Sequence, residues 1–248
     1  MIRGIIEKIR GVTAANVESY PLDFSMDEVD IIHAVRPYTL TGPERIVSLV
    51  RAVRYIVENN IPGTLVECGV WRGGSMMAAA LTLRQMRCED RELYLFDTFT
   101  GMTPPTARDY TIRGQSARLI YEGWGPPPNG SEGSGWCYAS LEEVRHSLYR
   151  TGYPPERIHF IGGRVEETLP EQAPETVAML RLDTDWYEST RHELTHLFPR
   201  LARGGVFIID DYGIWMGARK AMDEYLRDNH VALLLQRIDY TGRIGIKV

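Results

Sequence analysis

Two apolar runs of the chain end in pairs of acidic residues. The first ends in Asp183 and Asp185, and the second, Gly205–Ile209, ends in Asp210 and Asp211. If both runs are adjacent strands of an open parallel sheet, their carboxyl ends meet at the edge where ligands bind. Carboxylates this close repel one another unless a cation lies among them. The pattern therefore predicts a hard divalent cation, Mg²⁺ by preference, with Asp183, Asp210 and Asp211 as its ligands.

Asp185 has two candidate roles. Extended backbone would place its side chain on the same side as that of Asp183, where it could be a further ligand or a general base. The triplet Asp183-Thr184-Asp185 also resembles the D-x-D of metal-dependent glycosyltransferases, in which the acids hold a cation against a nucleotide diphosphate. This alternative ranks second, because it leaves the glycine turn and the acid described next without a joint role.

A glycine turn follows the first predicted strand, Thr64–Gly69. The sequence Gly73-Gly74-Ser75 then opens a helix, where glycine lets a ligand approach the backbone and the helix N-terminus attracts anionic groups. The turn is neither G-x-G-x-x-G nor a P-loop. Asp97 ends the second predicted strand about 30 residues later, where an acid can accept hydrogen bonds from ribose hydroxyls. Together these features favour a nucleoside-containing ligand.

The sequence His192-Glu-Leu-Thr-His196 matches the H-E-x-x-H motif of zinc proteases. Helical rotation places both histidines off the core face that Leu194 and Leu197 form. Pro199 ends the helix soon afterwards, and no third ligand follows. We therefore interpret the match as chance.

Composition excludes several classes of protein. The 248 residues carry a net charge of -5, which argues against nucleic acid as the main partner. The three cysteines, Cys68, Cys88 and Cys137, show no C-x-x-C spacing, so we expect reduced thiols in a cytoplasmic protein. Residues 1–10 are typical of an amphipathic helix rather than a signal peptide. No apolar run approaches the ~20 residues that span a bilayer, so no membrane partner is expected.

Strand patterns alternate with helical patterns along most of the chain, which predicts an α/β fold with a doubly wound parallel sheet. Segments 231–237 and 243–248 predict a final hairpin, so that about seven strands form and the last is antiparallel. Residues 1–42 predict an N-terminal helical appendage, and 43–248 the main domain. Within that domain, residues 99–136 show little periodicity and predict a long functional loop or lid.

Several stretches together resemble one family, the macrocin O-methyltransferases among the class I S-adenosylmethionine-dependent methyltransferases. They are Val66–Ser75, Leu95–Phe99, Glu167–Pro170, Leu180–Thr190 and Gly204–Tyr212. Members of this family methylate sugar hydroxyls of macrolide and aminocoumarin antibiotics. The resemblance extends from about Tyr38 to the C-terminus. It implies a Rossmann-like seven-stranded sheet with an antiparallel last strand.

The resemblance also implies roles for individual residues. S-adenosylmethionine would contact Thr39, Leu40, Glu67, Gly69, Ser75, Asp97, Gly163, Arg164, Val165 and Asp183. Mg²⁺ would be bound by Asp183, Asp210 and Asp211, and Asp185 would be the base. Within this set, Thr39 and Leu40 would cover the cofactor, and the residues from Gly163 to Val165 would flank the adenine.

The acceptor is the part that the resemblance leaves open. Residues 100–136 match nothing that names a substrate, so the expected partner is a small hydroxylated molecule, with a glycosylated natural product favoured. A homodimer is a further expectation. A non-catalytic module of the same fold, which would bind the cofactor but no hydroxylated ligand, is the remaining rival.

Overall fold

A computed structural model describes residues 20–128, 130 and 133–248, and a seven-stranded sheet lies at its centre. The strands are β1 (Thr64–Cys68), β2 (Leu93–Asp97), β3 (Ile158–Gly162), β4 (Val177–Leu182), β5 (Leu201–Ile209), β6 (Gln236–Arg237) and β7 (Arg243–Ile246). Their order across the sheet is β3-β2-β1-β4-β5-β7-β6. The first five strands pair in parallel, and β7 runs antiparallel to both β5 and β6. The predicted fold class is confirmed.

Helices cover both faces of this sheet. Those in the described residues are α1 (Met26–Val35), α2 (Pro43–Glu58), α3 (Gly74–Gln85), α4 (Ala117–Trp124), α5 (Leu141–Tyr149), α6 (Val165–Thr168), α7 (Tyr187–His196) and α8 (Met216–Asp228). The helix predicted for residues 1–10 lies outside the described part of the chain. None of the described helices has both the length and the apolar character that crossing a bilayer requires.

The strands bury apolar side chains on both faces, as parallel strands between two helical layers do. In β1, Leu65 points into the core formed with α1, α2, α3 and α5, whereas Val66 points into the core formed with α6, α7 and α8. Successive strand residues point to opposite faces. The apolar residues of β4, which only Arg181 interrupts, can therefore fill both cores at once.

Two element boundaries differ from the predictions. Helix α7 ends at His196 rather than near residue 202, because Pro199 lies in the 3-10 turn that follows and has no N–H to donate. Strand β5 then begins at Leu201, earlier than predicted. The strand predicted over 231–237 is reduced to the two residues of β6, which lies at the sheet edge and pairs with β7 alone.

The sheet brings the residues of chemical interest to one edge. Backbone hydrogen bonds continue beyond the strand ends, from Gly69 N–H to the Phe96 carbonyl at 2.9 Å and from Asp183 N–H to the Cys68 carbonyl at 2.8 Å. A third such bond fixes the backbone of Asp210 against β4. The loops that leave β1, β2, β4 and β5 therefore start from fixed positions at the same edge.

Candidate active site

Three of the four acids come together beyond the ends of β4 and β5. Carboxylate oxygens of Asp183, Asp185 and Asp211 lie within 4.8 Å of one another. Opposite ligands in an octahedral Mg²⁺ shell lie about 4.2 Å apart, so small side-chain rotations would suffice for coordination. An all-oxygen, anionic donor set is also what Mg²⁺ prefers. The cluster therefore fits a hard divalent cation.

Asp185 joins the cluster through a turn and not through extended backbone. Its φ is 66°, in the left-handed region that few residues other than glycine adopt. The turn brings its N–H to the Asp211 carboxylate at 3.2 Å, and the Trp215 side chain hydrogen-bonds the Asp185 carboxylate. Such backbone strain is typical of functional sites.

Asp210 has different surroundings from the other three acids. Its side chain is only 2% exposed and forms ion pairs with Arg45 of α2 and with Arg181 of β4. Arg45 also pairs with Asp239, at 2.9 Å. The Asp210 Oδ1 atom lies 2.9 Å from Arg181 but has no well-aligned hydrogen bond from the described residues. Its lone pairs therefore remain able to coordinate a cation.

Arg181 is the central cation of the site. It lies beside Glu67 in the sheet register, and its Nη1 donates to the Glu67 carboxylate at 2.5 Å. Its Nη2 lies 2.8 Å from Asp183 and 2.9 Å from Asp210, without a well-aligned hydrogen bond to either. Arg181 and Glu67 are 3% and 1% exposed. One buried guanidinium therefore balances three carboxylates.

The electrostatics of the site follow from burial and crowding. Burial raises the pKa of Asp185 to about 7, and the Asp183 and Asp210 carboxylates act in the same direction. Burial, then Asp185, raise the pKa of Asp211 well above its ordinary value. Burial also raises the pKa of Glu67 to about 8, although Arg181 opposes it. Five carboxyl groups, those of Glu67, Asp183, Asp185, Asp210 and Asp211, share this site with the two arginines Arg45 and Arg181, and this balance favours an added cation.

A cavity of about 340 Å³ opens directly above the acids. Gly69, Ser75 and Asp97 line one part of it, and Asp183, Asp185, Asp210 and Asp211 line another. Thr39 and Leu40 form part of its cover, because Gly74 lets the segment after α1 approach: a Cβ on Gly74 would lie 2.6 Å from the Tyr38 carbonyl oxygen. Glu67 is not part of the lining.

A smaller cavity of about 60 Å³ adjoins the first. Gly163, Arg164 and Val165 line it, and Gly69, Asp97 and Asp183 line both cavities. The Asp97 carboxylate accepts hydrogen bonds from the N–H groups of Val70 at 2.6 Å and Phe99 at 2.8 Å. Burial raises the pKa of Asp97, and these backbone bonds lower it. The bonds orient a carboxylate whose remaining lone pairs can receive a ligand at the junction of the two cavities.

Hydrogen bonds connect the described parts of segment 99–136 to the loops that follow β4 and β5. Asp109, 2% exposed, accepts a hydrogen bond from the Tyr187 N–H at 2.8 Å. The Trp186 indole donates to the Thr103 carbonyl at 2.9 Å, and Ile112 N–H donates to the Ile214 carbonyl at 2.8 Å. The segment also contains α4, which the sequence pattern did not predict.

Sequence reasoning missed four residues of this site: Arg45, Asp109, Trp136 and Arg181. The signal for Arg181 was available, since an arginine inside an otherwise apolar strand needs buried partners. Arg45 and Asp109 reach the site through tertiary packing, and no local pattern marks them.

The zinc-protease match is rejected by the geometry of α7. The rings of His192 and His196 lie with centroids 4.4 Å apart at an interplanar angle of 55°, and His192 Nε2 contacts the Leu169 carbonyl oxygen. Glu193 points the opposite way, is 0% exposed and accepts a hydrogen bond from Thr184. The motif therefore does not form a metal site.

Comparisons with known proteins agree with this geometry. The sequence model of the family described as "Macrocin-O-methyltransferase (TylF)" matches residues 30–244. Demethyldecarbamoylnovobiocin O-methyltransferase of Streptomyces niveus is 32% identical over 205 residues, which cover 83% of this chain and 74% of that protein. The 8-demethyl-8-(2,3-dimethoxy-alpha-L-rhamnosyl)-tetracenomycin-C 4'-O-methyltransferase of Streptomyces olivaceus is 34% identical over the same shares. The solved structure of the O-methyltransferase NovP superposes with a TM-score of 0.73 at 31% identity, covering 85% of this chain and 82% of that one.

Proposed function

Because this chain belongs to the macrocin O-methyltransferase family and is an O-methyltransferase, we propose that it transfers the methyl group of S-adenosylmethionine to a sugar hydroxyl of a natural product, with Mg²⁺ bound at the acid cluster. The observation that carries the proposal is the pair of adjoining cavities. Asp97 lies at their junction, and the acids line the larger one. A cofactor and a hydroxylated acceptor can thus lie side by side.

The cofactor assignment follows the cavity lining. Gly163, Arg164 and Val165 would flank the adenine in the smaller cavity, Asp97 would bind the ribose hydroxyls, and Gly69 and Ser75 would contact the methionine part. Thr39 and Leu40 would cover it from above. We assign Glu67 an indirect role, since Arg181 binds its carboxylate outside the cavity lining.

We assign Asp183 and Asp211 of the cluster to the cation, with Asp210 as the third ligand through its Oδ1 atom, which has no well-aligned hydrogen bond from the described residues. We assign Asp185, the third member of the cluster, to the proton. When bound, S-adenosylmethionine supplies an activated methyl group and Mg²⁺ supplies a Lewis acid that lowers the pKa of the acceptor hydroxyl. Asp185 accepts the proton from that hydroxyl. Its strained turn and its bonds to Asp211 and Trp215 hold it in place. Methyl transfer forms no covalent bond to the chain, so positioning by these residues supplies much of the rate.

Calorimetric titration of S-adenosylhomocysteine, then of MgCl₂, into the wild-type chain tests the proposal. We expect one binding event for each. Asp97→Ala should weaken the first by at least about tenfold, and Asp183→Asn should remove the second while changing the first far less. Asp228→Asn, which changes an acid that is 44% exposed, is the matched control. Absence of any S-adenosylhomocysteine binding would refute the proposal.

The glycosyltransferase alternative is not favoured, because the family match is to methyltransferases. Uridine- and thymidine-diphosphate sugars, titrated in the same series, check this directly. Binding of these donors in place of S-adenosylhomocysteine would reverse the ranking.

We further propose that the enzyme works in the cytoplasm as a homodimer. All three cysteines are unpaired, which supports a reducing compartment. Leu234 and Val248, each 82% exposed, line one groove of mostly apolar residues beside the last strands, and a contiguous apolar surface of this kind supports a second copy as partner. Light scattering after size exclusion should give the mass of two chains, and Leu234→Asp should reduce it to one.

A further inference from the structure

Three tryptophans from separate parts of the chain pack together beside the acids. Ring centroids of Trp136 and Trp186 lie 5.7 Å apart, those of Trp136 and Trp215 lie 6.0 Å apart, and those of Trp186 and Trp215 lie 5.1 Å apart. Trp186 directly follows Asp185 in the chain, and Trp215 hydrogen-bonds its carboxylate. We call Trp136, Trp186 and Trp215 the tryptophan cluster.

The three members differ in what they expose. Trp186 and Trp215 are 3% and 6% exposed, and the polar atom of each indole is already bonded, to Thr103 and to Asp185 respectively. Trp136 is only half-buried and lines the larger cavity. Trp215 also lines that cavity, but at 6% exposure it offers little ring surface, so Trp136 presents most of the cluster's ring surface to the cavity.

The backbone fixes Trp136 closely. Met102 N–H donates to the Trp136 carbonyl at 3.0 Å, and Ser134 N–H donates to the Thr100 carbonyl at 3.0 Å. Gly101 permits this approach, because its φ is 87° and a Cβ there would lie 1.9 Å from the Ser134 carbonyl oxygen. Gly101 and Met102 also line both cavities. The ring is thus held by the same backbone that borders the expected cofactor cavity.

This arrangement has the chemistry of a carbohydrate subsite. A pyranose has a ring of hydroxyls around its edge and patches of C–H groups on its faces. The face of an aromatic ring carries negative potential, which attracts the weakly positive C–H hydrogens. Carboxylates at the end of the cavity can receive the hydroxyls. Sites for small ligands usually combine aromatic surface with a few polar groups, as this cavity does.

We propose that Trp136 is the acceptor-binding platform of this enzyme, against which the C–H face of the acceptor pyranose lies while one of its hydroxyls reaches Asp185. The proposal rests on the proposed function and goes beyond it by naming a residue that selects the acceptor. Trp186, which does not line the cavity, acts on the acceptor through Trp136 as a positioning residue, and Trp215 borders the same cavity beside Trp136.

The test compares Trp136→Ala and Trp136→Phe with Trp124→Ala. Trp124 lies in α4 of the same segment, is 57% exposed and lines neither cavity, so it is the matched control. The acceptor probes are methyl glycosides of 6-deoxyhexoses, with catechol as a planar acceptor that also carries two adjacent hydroxyls. Turnover with S-adenosylmethionine and MgCl₂ gives kcat and KM, and calorimetry gives the affinity for S-adenosylhomocysteine.

We expect Trp136→Ala to raise KM for the preferred glycoside about 10–100-fold with a smaller change in kcat, as loss of ground-state contact does. Trp136→Phe should recover most of the affinity, and Trp124→Ala should match the wild type. All three variants should bind S-adenosylhomocysteine within about twofold of the wild type, which shows that they are folded. In the wild type, glycoside binding should change tryptophan fluorescence, and Trp136→Phe should remove most of that change.

An unchanged KM in Trp136→Ala would overturn the inference while the proposed function stands. Binding of S-adenosylhomocysteine with turnover of catechol but of no glycoside, or with no glycoside binding at all, would overturn both the inference and the sugar acceptor of the proposed function, while the cofactor and the methyl transfer of that function stand. Failure of the wild type to bind S-adenosylhomocysteine would instead refute the proposed function itself.

Discussion

Replacing Arg181 by methionine should destabilise the chain far more than replacing an exposed arginine whose ion pair has a similar N–O distance. Methionine keeps much of the side-chain volume but leaves Glu67, Asp183 and Asp210 without their shared guanidinium. Removing one partner of a buried ion pair costs about 3–5 kcal/mol, because the remaining charge stays buried without compensation. For a chain of this size, each kcal/mol lowers Tm by about 2–4 °C. We therefore expect Tm to fall by about 6–20 °C.

The matched control is Arg118→Met. Arg118 pairs with Glu122 at 2.9 Å on the surface of α4, and the two side chains are 73% and 56% exposed. An exposed pair one helical turn apart contributes about 0.3–0.5 kcal/mol, so Tm should change by about 1–2 °C. Arg118 loses one exposed ion pair, whereas the buried Arg181 loses three of similar length, so the difference in Tm measures what burial and shared partners add to the cost of losing an arginine.

A double variant separates lost charge balance from lost packing. In Glu67→Gln/Arg181→Met the acid closest to the vacated position is neutral, so about 1–3 kcal/mol of the loss should be recovered. The Arg181→Met loss should also be larger at pH 8 than at pH 6, since unpaired buried carboxylates take up protons at lower pH. Urea unfolding at both pH values, with EDTA present, measures these free energies. A Tm change as small as that of Arg118→Met, or no recovery in the double variant, would refute the reasoning.

Three other predictions follow from the site. Gly69→Ala should lower the free energy of unfolding in urea by at least about 2 kcal/mol, because the φ of Gly69 is 82° and the new Cβ would lie 2.0 Å from the Asp183 carbonyl oxygen. Gly114 has a similar φ of 80° but open space around it, so Gly114→Ala should cost only the ~1–2 kcal/mol of the backbone conformation. Asp97→Ala should weaken S-adenosylhomocysteine binding by at least about tenfold in calorimetry, as loss of a charged hydrogen-bond acceptor does, and an unchanged Kd would remove Asp97 from the site. Burial raises the pKa of Glu193 from 4.5 to about 8. The folded state therefore binds this proton more tightly than the unfolded state, and the free energy of unfolding should fall as pH rises between those values. Glu193→Gln should flatten that pH dependence in unfolding experiments at pH 5 and pH 8.5, and an unchanged slope would contradict the prediction.

Much of the fold was predictable because its signals are local. Apolar runs of strand length, each bounded by glycine, proline or an acid, mark β1, β2 and β4, and the topology of parallel sheets then places their carboxyl ends together. The convergence of Asp183 and Asp211 follows from that topology alone. Gly69 was recognisable as a turn glycine, and the structure adds the reason: its backbone touches that of Asp183.

The remainder depends on information that local patterns do not hold. Asp185 reaches the cluster through a left-handed turn. Aspartate tolerates that conformation better than most residues, but only a small fraction of aspartates adopt it, so the sequence does not mark the turn. Asp210 pairs with Arg45, 165 residues away in the chain, so its separate surroundings arise from the packing of α2 against the sheet. Helix α4 was not predicted from the sequence because it is short and only Ala117 among its residues is buried.

The hydrogen bonds of Asp109 bear on how enzymes of this kind could be recombined. Asp109 belongs to the segment that contributes Trp136, yet it accepts the first N–H of α7 and fits against Gly217 of α8, where a Cβ would lie 2.1 Å from its carboxylate. A chimera that exchanges residues 99–136 with a relative would therefore also exchange a support of the loop that carries Asp185. To transfer the acceptor preference of one enzyme to another, the segment must be exchanged together with its contact surface on α7 and α8.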